Sequence, residues 1–143
     1  MKKLEEIIAR EKKFLIASGI TLGTRALDSV STSYVISQEV REVYPVFHEL
    51  TGALEARGIP TAELDQALNM YAATFEANLG ARMFIEECGL NQGLFLHNLV
   101  VMVPVLAVAY FLNKINSRYE SGNNVLYFLS GASAAMAVLN LYQ

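Results

Sequence analysis

The sequence predicts an all-α fold, a small transmembrane helical bundle, on three observations. Of 143 residues, 53% are hydrophobic and only 17% are charged, against about 25% charged in an ordinary soluble domain. The charge is concentrated at the N-terminus and in residues 38–66, and three other stretches are almost free of it. Those stretches also approach the roughly 20 residues a helix needs to cross the hydrocarbon of a bilayer. The expected architecture is three spanning helices plus one amphipathic or partly inserted helix, in a single membrane domain over residues 1–143.

The first element, Leu4–Lys13, places Leu4, Ile7 and Ile8 on one side and Glu5, Glu6 and Lys12 on the other. Helical spacing of this kind predicts a short surface helix over residues 1–13 on the cytoplasmic side. The apolar run that follows is too long for a secretory leader and has no small-residue cleavage site; it reads as a retained anchor.

Segment one is Phe14–Ser37. Its length suits a span, but Arg25 and Asp28 interrupt it, and each ion costs about 2.5–3.5 kcal/mol at a helix centre on insertion scales. Three residues apart, the two lie on one face and can pair. Ser18, Thr21, Arg25, Asp28 and Thr32 form one stripe, which must look into a bundle because lipid cannot satisfy it. Gly19 and Gly23 form a GxxxG that permits close helix approach.

Residues 38–65 make a polar, extracytoplasmic insertion holding Glu39, Arg41, Glu42, Glu49, Glu55 and Arg57. A short helix over Val46–Ala56 is expected within it, ended by Gly58 and Pro60. Segment two, Thr61–Glu87, reads as helical throughout. Leu64, Leu68, Tyr71, Phe75, Leu79 and Met83 form its apolar stripe, and Asn69, Ala73, Glu76 and Gly80 lie on another face. Two placements stay open: flat on the membrane surface, or sunk partly into the bundle. Segment three, Gly93–Asn113, is the plainest span, with His97 and Asn98 near its start and a tolerated Pro104. Segment four, Val125–Tyr142, is rich in small residues from Ser130 to Ala135, which suits tight packing.

Positive flanks stay cytoplasmic. Lys2, Lys3, Arg10, Lys12 and Lys13 precede segment one, and Lys114 and Arg118 follow segment three. Both groups lie inside only if segments one, three and four span. The expected placement is therefore a multi-pass protein of the cell membrane, N-terminus cytoplasmic and C-terminus outside.

The net charge of −3 gives no basic stripe for nucleic acid. One cysteine, Cys88, excludes an internal disulfide and any multi-cysteine metal site. There is no HExxH, no GxSxG elbow and no phosphate-binding loop. No catalytic residue or cofactor is expected, and the metal question stays open. The candidate site is an intramembrane polar cluster of Arg25, Asp28, Thr32, Glu76, Asn78 and His97, because ionisable groups at membrane depth are costly and tend to be functional. Its carboxylates and imidazole are chemically able to bind a metal or relay protons. The structural alternative is that Asp28 neutralises Arg25, Glu76 pairs with Arg82 or faces water, and His97 lies at the interface.

Leu27-Asp28-Ser29-Val30-Ser31-Thr32, then Glu76-Ala77-Asn78, then a closing hydrophobic helix pair with a late Asn140 resemble an uncharacterised family of small prokaryotic, largely archaeal, multi-span membrane proteins. That family carries an Asp–Ser/Thr element and an E-x-N-P-like element. Here Leu79 stands in place of the proline, and residues 38–70 form an insertion between the elements. The resemblance implies a membrane fold and implies no activity.

The function expected from the sequence is a non-enzymatic structural or accessory membrane subunit. Its partners would be the lipid bilayer and either further copies of itself or another membrane protein. The alternatives are an oligomeric transporter or ion-conducting component using Asp28 and Glu76, an intramembrane enzyme, and a soluble helical protein with buried apolar segments.

Overall fold

The computed structural model describes residues 2–116 and 120–142. Among these it holds six α-helices and no strand. They are α1 (Lys2–Val40), α2 (Tyr44–Glu55), α3 (Ala62–Ala73), α4 (Leu79–Cys88), α5 (Leu90–Ile115) and α6 (Ser121–Leu141). The all-α expectation therefore holds. Arg118, used above to orient the chain, lies outside the described residues.

Three details differ from the sequence reading. The surface helix and segment one are one continuous helix of 39 residues. No Gly, Pro or capping residue separates Lys13 from Phe14, and the Glu/Lys/Arg run is made of good helix formers. Segment two is two helices, broken between Ala73 and Leu79. Finally, among the described residues two helices rather than three are long and apolar enough to cross a membrane, α5 and α6. Helix α1 has ample length, but Arg25, Asp28 and its run of Ser and Thr residues dilute its apolar character. The short helix expected near Val46–Ala56 is α2. Past its end Gly58 turns with φ of +69°, a conformation glycine adopts without a Cβ penalty.

By internal contacts the chain forms two compact units, residues 2–28 with 99–142, and residues 29–98. In the first, the N-terminal part of α1 packs with α5 and α6. Ala17, Ala109 and Leu126 are its buried apolar centre, flanked by Phe14, Val105 and Leu106. Helices α5 and α6 approach at backbone distance: a Cβ on Gly122 would stand 1.8 Å from the Ala109 carbonyl oxygen. In the second unit, the C-terminal part of α1 packs with α3, α4 and the start of α5, and α2 lies against α3. Its centre is Ile36, Val40, Ala72, Ala73, Ala81, Ile85 and Leu94.

Ala17, Ala72, Ala73, Ala81 and Ala109 sit in these centres beside a few larger residues, Ile36, Ile85, Leu94 and Leu126. On α3 and α4 the later part of the apolar stripe read from sequence faces outward, with Leu79 72% exposed and Met83 68%, while Leu64 and Leu68 are half-buried. The alanines face the centre instead. Helices meeting through small side chains bring their backbones close, the mode of packing favoured where lipid removes the hydrophobic incentive to bury large ones.

Candidate functional site

Arg25 and Asp28 belong to the first unit; Thr32, Glu76, Asn78 and His97 belong to the second. In the first unit the expected pair is formed. Arg25 Nη1 stands 3.3 Å from Asp28 Oδ2, one helical turn apart, with both side chains half-buried. The inward stripe continues toward the N-terminus through Thr21 and Ser18, both buried. Thr21 Oγ1 lies 2.8 Å from the Ala17 carbonyl, 3.0 Å from the Leu126 carbonyl and 2.9 Å from Ser130 Oγ. A hydroxyl has one proton, so Thr21 donates to one of these and accepts from Ser130 when that hydroxyl turns toward it. The glycines of the GxxxG have open space where a Cβ would stand, so among the described residues no helix of this chain uses that approach.

In the second unit, Glu76 and Asn78 do not lie on a helical face. They form the turn from α3 into α4. The Asn78 backbone amide donates to Glu76 Oε1 at 2.8 Å. The Asn78 side chain accepts from the amides of Gly80 at 2.9 Å and Ala81 at 3.3 Å, which caps α4. Capping satisfies amides that have no partner inside the helix. Arg82 reaches back from the first turn of α4, donating through Nε to the Glu76 carbonyl at 2.9 Å and through Nη2 to the Thr74 carbonyl at 3.1 Å. The sequence offers Arg82 as a charge partner of Glu76; in the structure its guanidinium bonds to backbone carbonyls. This Glu-x-Asn-x-x-x-Arg run is a device that ends one helix and starts the next.

His97, on α5, is buried, with its ring 6.2 Å from that of Phe84. Its Nε2 lies 3.2 Å from where a Cβ on Gly80 would stand, so Gly80 makes room for the imidazole. Thr32 is half-buried on α1. Among the described residues no three His, Cys, Asp or Glu side chains gather closely enough to hold a metal ion.

The sequence reading missed the polar contacts between helices. Asn98 donates to Ser29 Oγ, and Ser33 donates to Asn91 Oδ1 at 2.6 Å. Asn113, near the end of α5, accepts from the amides of Gly122 at 2.8 Å and Asn123 at 3.2 Å, and donates to Asn123 Oδ1. It therefore caps α6 from another helix. That role is needed because Glu120, at the N-cap position, has a left-handed backbone (φ +48°) and its side chain does not cap α6. Asparagines within otherwise apolar helices were the available signal. Outside these contacts, Glu120 receives Lys13 Nζ at 2.6 Å and Glu11 receives Lys114 Nζ at 2.8 Å. The Lys13 ammonium, with Asn123 adding a hydrogen bond, holds the Glu120 carboxyl below its ordinary value.

Compared with protein-family models, with curated proteins and with solved structures, this chain finds no match.

Proposed function

We propose that this protein is an integral membrane protein that acts without catalysis, as a structural or accessory subunit assembling with copies of itself or with another membrane protein. The observation that carries the reading is how little of its apolar surface the chain covers. Only 22% of the most apolar stretch of α5, and likewise of α6, is buried. Phe95, Val103, Phe111, Phe128 and Leu141 are each at least 60% exposed. A core helix of a soluble protein is covered by its neighbours, whereas contiguous apolar surface on this scale marks contact with a membrane or a partner.

Helix α1 serves as the third span on this reading. Leu15, Leu27 and Val30 point outward and Ser18 and Thr21 inward, the reverse of a helix lying in water. The outward apolar residues of α3 and α4 favour partial insertion over a flat, water-facing placement. The polar residues at depth support assembly rather than chemistry: Asp28 pairs with Arg25 and Glu76 is engaged at a helix start. Extraction and labelling test the reading. The protein should stay with membranes after an alkaline wash and be released by detergent. In a Cys88→Ser background, Ser121→Cys should react only after the cytoplasmic side is opened, and Gln143→Cys from outside. Release by alkaline wash alone would overturn the membrane assignment, and outside labelling at position 121 would overturn the three-span topology.

A further inference from the structure

Within the second unit, a cleft of about 520 Å³ opens between the end of α1, the start of α2 and α3. Its volume lies in the range of small-molecule sites. Val40, Leu68, Ala72 and Leu90 line it with hydrocarbon, and Ser37, Asn69, Tyr44 and Arg41 bring polar groups to the lining. Arg41 is exposed, and among the described residues its guanidinium makes no hydrogen bond or ion pair. Helix α2, which borders the cleft, has no buried residue of its own, and Tyr44, Val46 and Leu50 are each about half exposed or more. A short helix presenting apolar residues it cannot bury in the protein has the character of one lying in the bilayer interface.

We infer that this cleft holds one acyl chain of an anionic membrane phospholipid, with Arg41 on the lipid phosphate. The proposal rests on the membrane reading given above, because the bilayer supplies the lipid. The chemistry matches at both ends. The lining offers an acyl chain a largely hydrocarbon contact, with Ser37 and Asn69 the uncharged polar side chains beside Tyr44. The guanidinium offers a phosphate two parallel N–H donors in a planar fork, a geometry that a lysine would not reproduce. The exposed apolar residues of α2 place the mouth of the cleft where headgroups and chains meet.

The test uses the full chain reconstituted in phosphatidylcholine vesicles doped with phosphatidylglycerol that carries a photoreactive diazirine in its acyl chain. Adducts are located by peptide mass spectrometry. The expected result is labelling within residues 37–45 and 68–72 in addition to general labelling along α5 and α6. Leu68→Trp, which fills the cleft, should cut the first set at least about fivefold and leave the second unchanged. Arg41→Gln, at an exposed position that the fold does not depend on, should erase the preference for tagged phosphatidylglycerol over tagged phosphatidylcholine. Labelling of α5 and α6 without labelling of the cleft segments overturns the proposal and leaves the membrane reading standing. Cleft labelling that is indifferent to both substitutions also overturns it. Failure of the protein to float with the vesicles, with no adduct anywhere, overturns the membrane reading itself.

Discussion

The two units satisfy their polar groups in different ways. In the first, the bonds join residues far apart in the chain: Thr21 with Ser130, Lys13 with Glu120, Glu11 with Lys114. In the second, the densest network closes within a few residues, from Thr74 to Arg82. A network of the first kind exists only once the helices have met, so it reports on tertiary packing. A network of the second kind forms as soon as α4 forms, so it fixes a chain direction and leaves packing to the alanines around it. The same residue types therefore do different work: asparagine at position 78 begins its own helix, whereas asparagine at position 113 begins another one.

Substitutions should separate the two modes. The largest effect is expected where backbones touch. A Cβ on Gly122 would lie 1.8 Å from a carbonyl oxygen of α5, and one on Gly93 would lie 2.5 Å from the Ile85 nitrogen. Overpacking typically costs 1–3 kcal/mol, and contacts this short put Gly122→Ala at about 3 kcal/mol or more, with Gly93→Ala at about 2–3 kcal/mol. Gly131→Ala, in open space on the same helix as Gly122, should be neutral or stabilise by roughly 0.5 kcal/mol. Thermal unfolding in detergent followed by helical circular dichroism measures all three. A Gly122 variant that melts with wild type would break the account of the first unit.

Next in size is Thr21→Val, which keeps the shape and removes a buried hydroxyl that three groups approach. A loss of about 1–2 kcal/mol is expected, and Ser130→Ala on top of it should add less than it costs alone, since the pair is one interaction. Full additivity in the double-mutant cycle would show that the two hydroxyls are not coupled. Asn78→Ala should cost about 1 kcal/mol, and its signature should be local. Hydrogen exchange at Gly80 and Ala81 should speed up while the first unit stays protected. Equal acceleration in both units would mean that the cap is not the self-contained device described here.

The smallest effect is electrostatic. The Glu120 carboxyl is held below its ordinary value chiefly by the hydrogen bond from the Lys13 ammonium. Its folded-state value is thus lower than its unfolded one, so the contribution is complete above the ordinary glutamate range and disappears as pH falls through the lowered value. Melting temperature should drop slightly across that acid window, less so in high salt, because the pair is exposed. Lys13→Met should remove that component of the pH dependence; an unchanged profile would show that the pair carries no stability.

The sequence discloses helices well where length and apolarity decide them. Helices α5 and α6 are where segments three and four were expected, and the Arg25–Asp28 pair follows from spacing on one helix. Residues 74–78 were misread because Tyr71, Phe75, Leu79 and Met83 keep helical spacing straight across the break. Asn78 is a capping residue type, but the apolar period runs straight through it and conceals the break. The outward direction of that stripe was not legible at all, since a large residue faces solvent or protein only according to the medium around it. Asn113 and the Thr21–Ser130 contact were equally hidden: each residue type is visible, and its partner is settled only by which helices meet.

The cap that Asn113 places on α6 also bears on how the chain is made. Synthesis delivers α5 before α6, so when Gly122 and Asn123 emerge, the oxygen that receives their amides already stands in place. The second leg of the hairpin is completed by the first. An amide without an acceptor away from water costs free energy, so α6 without α5 loses the Asn113 oxygen that receives its first amides; α5 for its part carries Pro104, which leaves one of its own carbonyls without the usual helical amide. For this cap the dependence within the hairpin runs one way: α6 takes its N-terminal acceptor from α5.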